Sequence, residues 1–432
     1  MKKIKDVNVT RSFNNYQAVS AIKKKLLGKR LNYQEIFSLM DEVAHERLGP
    51  ILTTYFVAAG FKEGFTKTEL FYLTKAMADT GQKLNLKGTV ADKHSTGGLA
   101  GTRTTMILVP IVASAGFKIP KNSSRAITTP AGTADTMEVL APVTFPLKKI
   151  EQMVNKTGGV IVWGGHLGLA PADDVIIQVE TPLSFESFDK IIVSIMAKKI
   201  ASGATHLVLD IPVGPTVKIN HFKDAELIAD KFKFLAKRFK IKVTVDINQA
   251  LEPAGHGVGP ALEARDVLKV LEQRPDRPFM LEAKALRLAG KLLDLCLSNG
   301  KNGKKKPAGN SGEEMAVKIL KSGKALKKMR EIIKIQGGNS QISSESVKLG
   351  QYRFDVPSIT KGTITGFNNN DLTVIAKILG CPQDKTAGIY LNRRIDEKVD
   401  KNDILCILYS GDKWRLEEAK DTLLNVPIYR IE

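Results

Sequence analysis

A lysine, a histidine and two hydroxyl residues stand in a row before two glycines at Asp92-Lys93-His94-Ser95-Thr96-Gly97-Gly98. The lysine supplies a cation, the hydroxyls and backbone supply donors, and the glycines let the chain approach a ligand closely. Residues 88–91 read as the end of a short strand, and the apolar run 104–115 can form a buried helix. A glycine-rich turn between strand and helix, with a lysine beside it, suits an oxyanion such as phosphate. Phosphate held next to a sugar is a nucleophile as well as a handle.

Four further stretches carry polar chemistry. Residues 123–135 pack five hydroxyls and one guanidinium around a turn of little bulk, enough donors to wrap an anion or a ribose. Leu169-Ala170-Pro171-Ala172-Asp173-Asp174 reads as a loop leading into a helix, with the two aspartates as loop and cap groups. Ser194 and Lys198 are four apart and share a helix face. Their neighbours Ile192, Val193, Ile195, Met196 and Ala197 are apolar, so one of Lys198 and Lys199 is expected to point into a cleft. Asp210 to Lys218 runs from a strand end into a Gly/Pro loop.

The elements that must position these groups fall into three regions. Residues 14–80 read as short helices, with capping boxes at Asn32-Tyr33-Gln34-Glu35 and Thr66-Lys67-Thr68-Glu69. From 86 to 335 strands alternate with helices: strands at 159–163, 206–211 and 243–247, helices at 188–202, 224–239, 259–272 and 279–297. That alternation implies a parallel α/β sheet, which binds ligands at the carboxyl ends of its strands. From 336 onward strands are expected at 362–366, 388–391 and 403–409, with helices at 370–379 and 413–424. The expected class is α/β with a helical domain at 1–82 (residues 166–200 packing on it), an α/β domain at 83–335 and a β-rich α+β domain at 336–432.

Composition bounds the rest. The chain has 432 residues, 43% hydrophobic, enough for several packed cores. Its start, Met1-Lys2-Lys3-Ile4-Lys5-Asp6, lacks the apolar core of a signal peptide. No uncharged run approaches the roughly 18 residues of a membrane span, so no membrane partner is expected. Cys296, Cys381 and Cys406 are far apart, which fits reduced thiols in a cytoplasmic protein. No histidine spacing suggests a metal site. The net charge of +20 admits nucleic-acid binding, yet no aromatic or Cys/His signature for it appears. The lysine knot at 301–306 reads as a solvated loop.

KHSTGG, SRAITTPAGTADTMEVLAP, LAPAD, SIMAKK and DIPVGP, in this order, resemble the thymidine/pyrimidine-nucleoside phosphorylase family over nearly the whole chain. The resemblance implies a helical domain and an α/β domain flanking a cleft, and a homodimer formed through the helical domain. A bound phosphate would attack the anomeric carbon of a nucleoside to give a free base and a sugar 1-phosphate. No metal or organic cofactor is implied; inorganic phosphate is the co-substrate. By position, the family's phosphate ligands fall on Lys93, Ser95, Thr104, Ser123 and Thr133, its histidine near the base on His94, and its base contacts on Ser194 and Lys198. Where pyrimidine-specific members carry a base-binding arginine, this chain has Glu180.

The wording of the second motif is closer to the AMP phosphorylases and their bacterial relatives. In that branch the positions of Gly98, Ser124, Arg125, Ala126, Ile127, Thr128, Thr129, Thr133, Ser194 and Lys218 contact the nucleotide, and Glu186 falls on the proton-donating aspartate. Protonation helps an adenine leaving group, and Arg125 and Lys218 are candidates for holding a 5′-phosphate. The resemblance also implies that an extra N-terminal domain of that branch is missing here. A thymidine phosphorylase, a related anthranilate-type phosphoribosyltransferase and a basic nucleic-acid-binding protein stay as alternatives.

Overall fold

The computed structural model describes residues 7–127, 129–165, 167–180, 187–298 and 311–432, with side chains from Tyr16 onward. Thr128, Glu186, His166 and the lysine knot at 301–306 therefore lie outside the described residues. In chain order the elements are α1 (Val7–Leu26), α2 (Tyr33–Ala44), α3 (Gly49–Glu63), α4 (Lys67–Asp79), β1 (Ala91–Ser95), α5 (Thr104–Ser114), β2 (Ile119–Ser123), α6 (Thr133–Glu138), α7 (Leu147–Thr157) and β3 (Gly159–Trp163). Next come α8 (Pro171–Glu180), α9 (Phe188–Ala201), β4 (His206–Val213), α10 (Phe222–Arg238), β5 (Lys242–Gln249), β6 (Gly257–Val258), α11 (Pro260–Leu271), α12 (Phe279–Leu297), α13 (Gly312–Lys321) and α14 (Lys324–Ile335). The chain ends with β7 (Tyr352–Pro357), β8 (Gly362–Phe367), α15 (Asn369–Ile378), β9 (Gly388–Leu391), β10 (Lys398–Val399), β11 (Ile404–Ser410), α16 (Lys413–Leu423) and β12 (Tyr429–Ile431).

The chain divides into two compact units. One is helical and comprises Met1–Leu86, Gly165–Thr205 and Glu226–Lys242. Both capping boxes form: the Asn32 side chain accepts from the Glu35 amide, the Thr66 hydroxyl from the Glu69 amide, and each glutamate accepts in return. Such a cap contributes about 1 kcal/mol. Glu69 has a second task. Its buried carboxylate accepts from Lys25 at 3.2 Å and from the Leu31 amide at 3.1 Å, tying the end of α1 to α4. The α2 residues Ile36, Leu39, Met40 and Val43 recur at helical spacing and are buried. On α9 the apolar Ile192, Val193, Ile195 and Met196 are buried and the helix packs on α4.

The other unit comprises Lys87–Gly164, His206–Ala225 and Val243–Glu432. β1 pairs in parallel with β4, and β5 lies on the far side of β4. β2 pairs in parallel with β3, and a parallel bridge between Val90 and Lys118 joins β2 to β1. The strand order is thus β3-β2-β1-β4-β5, and parallel pairing brings Ser95, Ser123, Trp163 and Asp210 toward one end of the sheet. α5 is apolar from Met106 to Ala113 and buried from Thr104 to Ala113, packed against α12 and α14. The C-terminal part is antiparallel, in the order β6-β9-β11-β7, with a second sheet β10-β8-β12. Since β6 belongs to the α/β region and pairs with β9, hydrogen bonds connect the two parts directly.

The structure corrects one expectation here. The strand thought to end at residue 91 begins there, so Lys93, His94 and Ser95 are strand residues rather than turn residues. The reason is pairing: each of Ala91 to Ser95 has a partner on β4, from His206 to Asp210. A polar strand end is stable because its backbone is satisfied by the ladder.

Candidate active site

Lys93 is 3% exposed, with its ammonium 3.7 Å from Oδ2 of Asp210. Burial lowers its pKa from the ordinary lysine value to about 8; Asp210 opposes the shift, and the cations Lys284 and Arg103 add to it. Asp210 is itself buried at the position opposite Ser95 in the ladder. Burial would raise its carboxyl, but Lys284, Lys93, the Asn248 amide and the Ser95 hydroxyl outweigh that and hold it low. Asn248 donates to Asp210 at 2.8 Å, and Lys284, from α12, lies 3.3 Å from it. Two buried ammoniums thus share one carboxylate at the carboxyl end of β1. A buried excess of positive charge is costly unless an anion can join it.

The hydroxyls expected at a phosphate lie around this cluster's strand ends and the helices that follow. Ser95 and Ser123 end β1 and β2, while Thr104 and Thr133 begin α5 and α6. The Thr104 hydroxyl is buried and has no hydrogen-bond partner among the described residues, nor has that of Thr96. Arg103 binds this region together: its guanidinium pairs with Glu263 on α11, donates to the Ala131 carbonyl at 2.6 Å and reaches the Thr133 hydroxyl at 3.4 Å. Gly98 has a φ of +92°, and a Cβ there would lie 2.8 Å from the Lys218 backbone nitrogen. Glycine is what allows the loop after β1 to touch Lys218.

The segment before α6 is held by Asp135. Its carboxylate accepts from the Ala126 amide at 2.6 Å and the Gly132 amide at 2.9 Å. Gly132 permits the fold-back, because a Cβ there would sit 2.5 Å from the Ser124 carbonyl oxygen. The Thr129 hydroxyl donates to the Ala131 carbonyl, and Ile127 is exposed. Arg125 is not a spare cation for a 5′-phosphate. It forks onto both oxygens of Glu138 at 2.7 Å, reaches Asp135 at 3.1 Å and stacks 4.7 Å from the Trp163 ring. The Arg125 hydrogen bonds hold the Glu138 carboxyl at about 2.

The helical unit carries a separate cluster. Asp173 was expected to be a loop or cap group, but it is fully buried on α8. Its Oδ2 accepts from the Ser194 hydroxyl at 2.6 Å and lies 2.6 Å from the Lys198 ammonium. Burial would raise the Asp173 carboxyl, but Lys198, Lys190 and Ser194 together keep it low. Burial would likewise lower Lys198, and Asp173 outweighs it and raises the ammonium pKa. Glu180 ends α8, buried, 2.5 Å from Lys190. Both border an apolar cavity of about 40 Å³ among Phe56, Phe65, Ile176 and Val193.

The sequence motifs thus come together in two groups. Lys93, Ser95, Thr104, Ser123, Thr133, Gly98 and Lys218 belong to the α/β unit, while Ser194, Lys198 and Glu180 belong to the helical unit. Asp210 lay inside a motif without a role, Asp173 was read only as a loop or cap group, and Lys284, Asn248, Arg103 and Glu263 were missed. Two of these had a signal. Lys284 and Glu263 interrupt the buried stripes of α12 and α11, beside Leu281, Ala285 and Leu288 and beside Leu262 and Val267. Among the described residues no cluster of three His, Cys, Asp or Glu groups could hold a metal ion, and no helix is long and apolar enough to cross a membrane.

Residues 19–81 match the helical bundle domain of the glycosyl transferase family, and residues 87–230 match its a/b domain. Residues 363–428 match the pyrimidine nucleoside phosphorylase C-terminal domain. The AMP phosphorylase of Thermofilum pendens (strain DSM 2475 / Hrk 5) is 42% identical over 407 residues, spanning 94% of this chain and 77% of that protein. A Legionella pneumophila (strain Paris) protein named "Putative thymidine phosphorylase" is 41% identical over 408 residues, spanning 94% of this chain and 76% of that one. The crystal structure of anthranilate phosphoribosyltransferase from Thermus thermophilus has a TM-score of 0.59 at 18% identity, over 73% of this chain and 99% of that one, a likeness of fold alone. With these domains in this order, and this identity along nearly its whole length, the chain belongs to the phosphorylase family of pentosyl-transferring enzymes that includes the AMP phosphorylases.

Proposed function

We propose that this protein cleaves the N-glycosidic bond of a nucleoside 5′-monophosphate, AMP foremost, with inorganic phosphate, giving free base and ribose 1,5-bisphosphate. The observation that carries this is the buried pair Lys93 and Lys284 sharing Asp210 beneath the strand-end hydroxyls. In this reading Lys93, Ser95, Thr104, Ser123 and Thr133 orient phosphate for attack on C1′ as the bond to the base breaks. Developing positive charge on the sugar ring is met by the phosphate itself. Ser194 and Lys198, fixed by Asp173, take the base, and Glu186 gives it a proton, with His94 beside it. Lys218, Gly98 and the backbone and hydroxyls of the segment from Ser124 to Thr129 take the nucleotide's sugar and 5′-phosphate, with Arg125 bracing that segment through Glu138. No metal or organic cofactor takes part.

Adenine is preferred over a pyrimidine base because Glu180 and Lys190 neutralise each other at the position where pyrimidine-specific relatives carry a base-binding arginine. The test is base release from AMP, CMP, UMP, uridine and thymidine with phosphate present and absent. AMP should turn over fastest, and only with phosphate. Thymidine outpacing every nucleotide would replace the reading with a thymidine phosphorylase. Salt-sensitive nucleic-acid binding without base release would replace it with the nucleic-acid reading.

We place the enzyme in the cytoplasm, where its three buried thiols stay reduced. A homodimer through the helical unit fits the exposed Tyr16, Leu27, Ile51 and Tyr55 on and beside α1 and α3. Light scattering after gel filtration should give twice the 47.3 kDa chain mass, and a monomer would remove this part of the proposal.

A further inference from the structure

We infer that Asp210 is the positioning residue of the phosphate site, gathering the Lys93 ammonium, the Lys284 ammonium and the Ser95 hydroxyl on one buried carboxylate. The inference rests on the phosphorylase reading above and goes beyond it in naming what keeps the phosphate lysine charged and aimed.

The argument is one of charge and register. Ser95 and Asp210 are ladder partners, so their side chains leave the sheet on the same face, and Lys93, two residues earlier, joins them. α12 covers that face and brings Lys284 to within 3.3 Å of Asp210 and 3.0 Å of Asn248. Asn248 donates to Asp210 and to Asp246, and Asp246 is in turn held by Arg287 and Lys291. The charged groups facing Lys93 from the packed elements are therefore Asp210 on β4, Lys284 on α12 and Arg103 before α5, the last paired with Glu263. On β2, Lys121 donates to the Lys93 carbonyl and pairs with Asp92, which leaves it neutralised locally. Asp210, 3.7 Å away, is the anion that opposes these effects on the Lys93 ammonium. Without it, burial, Lys284 and Arg103 would all act to strip the Lys93 proton. With it, the cluster keeps one positive charge in excess, which a phosphate can take up.

Two substitutions move this balance in opposite directions. Asp210→Asn keeps the shape and removes the anion. It should raise the phosphate KM about tenfold or more with little change in the nucleotide KM, and move the alkaline limb of kcat/KM for phosphate to lower pH. Lys284→Met removes a repelling cation and should move the same limb to higher pH. The full-length protein is assayed with phosphate varied and AMP saturating. Melting curves with and without inorganic phosphate serve as a readout that needs no turnover. Phosphate should raise the melting temperature of the unsubstituted protein and not that of Asp210→Asn.

An Asp210→Asn protein that folds and keeps its phosphate KM and its limb would overturn the inference, as would both variants shifting the limb the same way. Should Asp210→Asn not fold, Lys284→Met decides alone, and an unmoved or lowered limb overturns the inference. If the unsubstituted protein releases no base yet is stabilised by phosphate in an Asp210-dependent way, the phosphorylase reading fails while the role of Asp210 stands.

Discussion

The Lys198 ammonium lies 2.6 Å from Oδ2 of Asp173, inside the helical unit. A lysine on an otherwise apolar helix is thereby given a fixed direction and kept charged. Asp173→Asn preserves the volume and can still meet the Ser194 hydroxyl, but it leaves Lys198 without its buried counter-charge, while Lys190 keeps Glu180. Breaking such a pair costs about 3–5 kcal/mol. The expected result is a lower urea midpoint together with a raised KM for the nucleoside or nucleotide and an unchanged KM for phosphate. The acid limit follows by sign. Asp173 has a folded pKa below its unfolded value, so its stabilisation is full above about pH 4 and is lost as pH falls further. Asp173→Asn should therefore flatten the acid limb of the stability curve, as read by melting temperature between neutral and acid pH.

Lys93 shows the opposite sign, and a conflict between stability and function. Its folded pKa of about 8 lies below the ordinary lysine value, so the folded state gives up a proton that the unfolded chain keeps. This group therefore opposes folding most fully below about pH 8, and that opposition fades as pH rises toward the ordinary lysine value. Lys93→Met removes one of the two ammoniums competing for Asp210 and leaves Lys284 paired with it. The variant is expected to melt at or above the temperature of the unsubstituted protein at neutral pH, yet to release no base from any nucleotide. A variant that melts higher and keeps full activity would remove Lys93 from the phosphate site.

How much of this was legible in the sequence depended on distance along the chain. Lys93 and Ser95 could be read together because they are two apart in one motif, and Ser194 and Lys198 because four residues make one helical turn. The capping boxes at Asn32 and Thr66 were legible for the same local reason. Asp210 stood in view at a strand end, but nothing local says that a parallel ladder sets it opposite Ser95. Lys284 and Asn248 reach the same carboxylate from α12 and β5, and only the fold brings them there. Arg125 misled because a guanidinium in a hydroxyl-rich loop looks available, while Glu138 already meets it one helix later. The strand at residues 91–95 was misplaced because its polar composition hides it, and its pairing with β4 is long-range.

Arg103 offers a test of whether the loop before α6 must be tethered. Its guanidinium joins Glu263 to the Ala131 carbonyl and the Thr133 hydroxyl. Burial raises the Glu263 carboxyl above its ordinary value, with Arg103 acting against the shift. Arg103→Met should destabilise the protein by about 3–5 kcal/mol, since it strands a buried carboxylate. Adding Glu263→Gln removes the stranded charge and should recover most of that loss in a denaturant titration. The recovered double variant should still bind phosphate more weakly, because Arg103 then no longer reaches the Thr133 hydroxyl or the Ala131 carbonyl. If the double variant regains native phosphate KM along with stability, the tether has no part in binding.

The pairing of Glu180 with Lys190 makes the preference for base a matter of one charge. The two groups lie 2.5 Å apart beside an apolar cavity, where the pair is strong and neither partner is free to hold a ligand. Glu180→Gln keeps the shape and removes the negative partner. Lys190 then keeps its longer approach to Asp173 at 3.9 Å, and its ammonium becomes available to a carbonyl oxygen. A pyrimidine offers such a carbonyl next to a ring nitrogen, and adenine offers none. The ratio of kcat/KM for UMP to that for AMP should accordingly rise about tenfold or more, the scale of one charge-assisted hydrogen bond. The change should appear in the nucleotide KM while the phosphate KM stays put. A variant that loses activity on UMP and AMP equally would mean that the pair only holds α8 against α9, and that the choice of base is made elsewhere.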